Sequence, residues 1–155
     1  MAGRAALIRT YAEGPAAVEA AVGSLSDAEL DRRPDVPGAW TAREVVHHLA
    51  DSETRSTIRF RKLLAEDSPT IHGYDEAHYA TVLWYDRPIA GSLAVLRAVR
   101  ASNVELLERL TDADFARSGT HTESGPYSVD TWLELYAAHA HEHAEQAAKA
   151  ARGEV

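Results

Sequence analysis

Trp132, Tyr136, His139, His143 and Ala147 recur at the three- and four-residue spacing of a helix face packed against other helices, so this segment must be buried along one side. Two of those positions are imidazoles. With about 100° of rotation per residue, His139 and His143 lie about 40° apart and roughly 6 Å apart along the axis, and both rings can converge on one point. Imidazoles on an otherwise apolar face need partners, because unpaired buried polar groups are costly. A shared metal ion is one such partner, and a third candidate ligand lies upstream in WTAREVVHHLADSE. His141 points roughly the opposite way and is expected at the surface.

Punctuation divides the chain into four long helical segments with shorter turns between them. The first, about residues 3–23, is alanine-rich and carries Gly14-Pro15, which predicts a kink or restart. Ser26 with Glu29 forms a potential capping box for a short helix. Thr41 with Glu44 forms another, opening a long helix that runs to about residue 67. Its inward stripe is Val45, Leu49, Ser52, Ser56, Phe60 and Leu63, with His48 at the edge and His47 rotated about 100° toward solvent or a helix flank. Residues 68–87 form a connection long enough to cover a site, in which Asp75 can cap one or two turns. After Pro88 a third long helix runs to about residue 110, and Thr111 with Asp114 caps a short turn. SGTHTESGPYS is rich in turn formers and leads into the last helix, about 129–151, closed by Gly153. With no convincing strand pattern, the expected fold is all-α, a four-helix bundle, whose core is a usual place for metal sites built from facing helices. The helix order stays open.

The chain has 155 residues, 45% of them hydrophobic, enough for one domain with its own core, taken as 1–155. A formal net charge of −8 argues against nucleic acid or an anionic membrane as partner. No stretch approaches the ~20 apolar residues of a membrane span, and a cytoplasmic protein is expected. The absence of cysteine excludes thiolate ligands and an internal thiol nucleophile, so any thiol used must come from a separate molecule.

Three segments taken in order resemble a known family: PGAWTAREVVHHLADSETRSTIRFRKLLAEDSPTIHGYDEAHYA, then LLERLTDADF, then LYAAHAHEHAEQ. Across residues 25–146 the chain resembles the DinB-like metalloprotein superfamily, specifically the YfiT-like branch that contains bacillithiol transferases. The resemblance implies a four-helix bundle, often dimeric, that holds a divalent metal, zinc or nickel, through three histidines, here His48, His139 and His143. Three residues depart from the pattern: Glu53 and Gln146 stand where histidines are frequent, and Ala138 where tryptophan is.

Three imidazoles leave a zinc-like ion an open coordination position, which lowers the pKa of bound water toward ~7 and deprotonates a thiol more readily still. Three functions follow. The first is S-transfer from an external low-molecular-weight thiol to an electrophilic small molecule, in detoxification or stress response. The second is metal-dependent hydrolysis, and the third is metal binding without catalysis. Asp51, one turn beyond His48, is a candidate acceptor for a ligand imidazole. Tyr136, one turn before His139, is placed to reach an open position. Arg55 and Arg59 are candidates for an anionic substrate group, with a solvated face the bland alternative. His72, His78 and His121 read as surface or loop residues.

Overall fold

The computed structural model describes residues 3–155 and contains seven helices and three short strands among them. The four long helices are α1 (Arg4–Val22), α3 (Ala42–Ala65), α5 (Ala90–Leu107) and α7 (Val129–Ala151). Between them lie α2 (Asp27–Leu30), α4 (Glu76–Val82) and α6 (Asp112–Phe115). The capping signals operate as expected: Ser26/Glu29, Thr41/Glu44 and Thr111/Asp114 each form a reciprocal box, and Asp75 accepts from the His78 N–H at 2.9 Å. Past α7 the chain turns at Gly153, whose φ of +81° suits glycine, and the Glu154 N–H reaches back to the Lys149 carbonyl.

The helices form a four-helix bundle in which α1 packs on α5 and α7, and α3 packs on the same two. The first and second long helices are therefore diagonal neighbours, as are the third and fourth. This settles the order, and it requires the α1–α3 and α5–α7 connections to cross a diagonal. The expected inward stripe of α3 is buried along its whole length. One half of the core is aromatic, with Phe60 stacked on Trp132 at 4.5 Å between centroids and Tyr11 against the same indole at 5.3 Å. The other half is aliphatic and small: Val18, Val45, Leu49 and Leu96 meet Ala140, Ala144 and Ala147 of α7.

Two expectations are corrected. Helix α1 is continuous through Gly14-Pro15. Proline removes the N–H that the Tyr11 carbonyl would otherwise accept, and the buried Arg100 Nη1 donates to that carbonyl instead at 2.8 Å. Gly14 makes the approach possible, because a Cβ there would collide with Arg100 Nη1 and with Ala140. The second correction is a small sheet, β1 (Thr70–Ile71), β2 (Ser118–His121) and β3 (Gly125–Ser128). β1 runs parallel to β2, and β2 and β3 form an antiparallel hairpin. Strands of two to four residues, rich in glycine, serine and threonine, carry no readable period-two alternation. Pairing with Thr70 and Ile71, about 50 residues away in sequence, organises them.

Candidate metal centre

α3 and α7 pack side by side, and that contact carries His48 from one helix to His139 and His143 on the other. The three side chains each place a ring nitrogen within 4.8 Å of the other two. Ring centroids are 5.6 Å apart for His48/His139, 4.8 Å for His48/His143 and 4.5 Å for His139/His143. Desolvation, then the neighbouring His143, holds His48 down at about 3; desolvation, then His143 and His48, holds His139 at about 2. Both are therefore neutral at pH 7, the form a metal requires. The Nδ1 atoms of His48 and His139 are buried without a hydrogen-bond partner, whereas native interiors satisfy nearly all such atoms. Three imidazoles converging from two helices, two of them with orphaned buried nitrogens, fit a divalent cation.

Gln146, on the same helix, was not singled out as a functional residue by the sequence. Its Oε1 lies 2.6 Å from His143 Nδ1, so the ring donates there and leaves Nε2 free as a ligand. The i,i+3 spacing on α7 was the available signal. Trp40 packs edge-on against His48 at 4.8 Å and closes that side of the cluster.

Asp51 does not touch a ligand imidazole. It accepts from the Tyr85 hydroxyl at 2.6 Å, and Tyr85 in turn packs edge-on against Trp40. His47 is fully buried rather than facing solvent. Its Nδ1 meets the Ser92 hydroxyl at 2.7 Å and its Nε2 the Arg87 carbonyl at 2.8 Å, tying α3 to the start of α5. His141 is half-buried and bridges to the Thr10 carbonyl of α1 at 2.9 Å. Tyr136 is buried, stands edge-on to His139 at 5.5 Å, and its hydroxyl accepts from Arg59 Nη1 at 3.1 Å.

A buried charge network supports the cluster from the bundle centre. Arg100 holds Glu53 Oε1 through Nε at 3.0 Å and Nη2 at 2.6 Å, and Nη2 also donates to the Tyr136 carbonyl at 2.9 Å. Tyr11 donates to the other Glu53 oxygen at 2.8 Å and accepts from Asn103 at 2.9 Å. Desolvation pushes the Glu53 carboxyl up while Arg100 and Tyr11 pull it back. Glu53, where the resemblance leads a histidine to be expected, is thus one half of an internal ion pair.

Beside the cluster lies a cavity of about 460 Å³. His139 is the one member of the triad in its wall, with Tyr136, Ser52 and Arg59 from the helices. Gly73, Tyr74 and Glu76 close it from the 68–87 connection, which covers a site as its length implied. The hairpin adds His121, Glu123, Ser124 and Tyr127. His121, expected at the surface, is half-buried in this wall.

The fold and this cluster define a class: helical-bundle proteins with a three-histidine cluster beside a cavity. The chain belongs to the DinB superfamily, whose family model matches residues 10–147. It is 39% identical over 140 residues to YfiT of Bacillus subtilis (strain 168), covering 88% of this chain and 77% of that protein. It is 37% identical over 123 residues to a Bacillus mycoides (strain KBAB4) protein, covering 79% and 70%. Both relatives carry the name "putative metal-dependent hydrolase". The solved structure of B. subtilis YfiT, described as a probable metal-dependent hydrolase with an unusual four-helix bundle topology, superposes with a TM-score of 0.89 at 35% identity. That match covers 96% of this chain and 86% of the other.

Proposed function

We propose that this chain is a divalent-metal-dependent enzyme, binding zinc or nickel through His48, His139 and His143 and acting on a small molecule. The observation that carries the reading is the triad of inward-facing imidazoles, two with orphaned buried nitrogens, beside a cavity whose wall includes His139. A bound ion supplies Lewis acidity, lowering the pKa of a water or thiol at its open position. The chain's own residues do the rest. Gln146 holds the His143 tautomer, Trp40 shields His48 from water, and the 68–87 connection with the hairpin encloses the reactants.

Two finer readings divide on the nucleophile. In S-transfer, an external low-molecular-weight thiol attacks an electrophile; the family resemblance and the cysteine-free composition support it. In hydrolysis, water attacks an amide or ester, and the names of the relatives support it. The test is metal-loaded protein assayed against thiol and electrophile panels, and separately against amides and esters without thiol. Metal-dependent conjugation that chelation abolishes supports transfer, and thiol-independent cleavage supports hydrolysis. Absence of both, with no ligand exchange at the metal, leaves a metal-binding protein without catalysis. A homodimer, which rests mainly on the resemblance, and a cytoplasmic setting belong to the same proposal.

A further inference from the structure

Arg59 sits half-buried in the cavity wall with no carboxylate paired to it among the described residues. Its two protein contacts, the Tyr136 hydroxyl at 3.1 Å and the His72 carbonyl at 2.6 Å, are to neutral oxygens and leave its charge uncompensated. A half-buried guanidinium at a cavity wall, with no carboxylate within ion-pair distance, is an arrangement that a bound anion completes.

Other groups in the same walls point the same way. The Tyr74 hydroxyl is buried with no hydrogen-bond partner; Ser52 lies close to it without the geometry of a bond. Burial, then Glu76, pushes that phenol up, so it keeps its proton and can donate. Arg55 covers the Tyr74 ring at 4.4 Å, and its own Nε is buried without a partner. His121 Nδ1 accepts from the Glu123 N–H at 3.2 Å, which leaves the His121 proton on Nε2 as a further donor. Arg59, Tyr74, Tyr136 and His121 line the cavity, and Arg55 reaches it only through the Tyr74 ring it packs on. The acids Glu76 and Glu123 are exposed and form its rim.

We propose that Arg59, with the hydroxyls of Tyr136 and Tyr74, forms a carboxylate-binding subsite one tyrosine ring away from His139, and that the enzyme's substrates are small molecules bearing a carboxylate. This deepens the metal-enzyme reading and rests on it for the reacting end of the substrate, because a carboxylate held at Arg59 directs the remainder toward His139 and the triad. The rim acids select a singly charged group, since a doubly charged phosphate meets Glu76 and Glu123 on entry.

Calorimetric titration of acetate and of inorganic phosphate into metal-free protein tests the subsite separately from the metal. Acetate is expected to bind at one site, more tightly than phosphate. Arg59→Gln weakens it at least about tenfold, the loss of a charge-assisted contact. Arg59→Lys recovers part of the affinity, and Arg97→Gln, on the far α5 surface, leaves it unchanged. Tyr136→Phe, which keeps the ring packing, weakens acetate severalfold and covers the case in which Arg59→Gln fails to fold. Equal acetate affinity in the parent, Arg59→Gln and Tyr136→Phe overturns the subsite, and tighter binding of phosphate overturns the carboxylate assignment. The failures separate cleanly: a protein that binds no metal yet binds acetate through Arg59 loses only the enzyme reading, whereas one that binds metal but not acetate loses only this inference.

Discussion

His143 donates from Nδ1 to Gln146, while the buried Nδ1 atoms of His48 and His139 have no hydrogen-bond partner, so the triad is asymmetric in how its rings are held. Gln146→Ala is expected to lower metal affinity about 10- to 100-fold without unfolding the chain, as measured by competition with a chelator. Alanine at His48, His139 or His143 removes bound metal, while alanine at His141 retains it with only about 1 kcal/mol lost through the Thr10 contact; metal analysis of purified variants decides this. pH acts on the metal-free protein through the same rings. Their folded pKa values, about 3 and 2, lie below the ordinary 6.5, so below 6.5 the unfolded chain binds protons that the native state refuses. The stability they contribute is complete above pH 6.5 and declines as pH falls toward 3, by up to about 1.4 kcal/mol per pH unit for each ring. Denaturant midpoints of metal-free protein that stay flat between pH 7 and 4.5 would refute this.

At the scale of elements, α1 and α5 are locked by one guanidinium. Arg100 replaces the hydrogen bond that Pro15 denies to Tyr11, fills the space left by Gly14, and neutralises Glu53 on α3. Gly14→Ala is expected to destabilise by about 1–3 kcal/mol, because the added methyl must displace Arg100 or Ala140 in a close-packed interior. Glu53→Ala is expected to cost more, about 3–5 kcal/mol, by leaving a buried guanidinium unpaired. Urea unfolding of the two variants against the parent measures both, and a smaller loss for Glu53→Ala than for Gly14→Ala contradicts the assignment of the ion pair.

At the scale of the whole molecule, the cavity beside the histidine cluster joins parts distant in the chain: α3, the 68–87 connection, the β2–β3 hairpin and α7. The hairpin reaches α3 by β1 pairing and by Arg117, which donates to the Leu63 carbonyl at 3.0 Å. No described helix is long and apolar enough to cross a membrane. The proposed homodimer has a direct check: sedimentation of metal-loaded protein at micromolar concentration should return twice the chain mass, and the monomer mass removes the dimer.

Local chemistry was enough to read much of this protein from its sequence. Capping boxes and helical periodicity act within four residues, so the ends of α2, α3, α6 and α7 and the buried stripe of α3 were legible. The facing of His139 and His143 on one side of α7 follows from the same periodicity, and the resemblance supplied His48. Where a partner lay far along the chain, sequence reasoning failed. His47 could be placed only toward solvent or a helix flank, because the partners that decide for the flank, Ser92 and the Arg87 carbonyl, are about 40 residues away. Pro15 looked like a kink because Arg100, its remedy, belongs to another helix. His121 looked like a loop residue because its strand exists only by pairing. Helix order, the buried ion pair and the cavity were decided by tertiary contact alone, since each depends on which surfaces meet when the bundle closes.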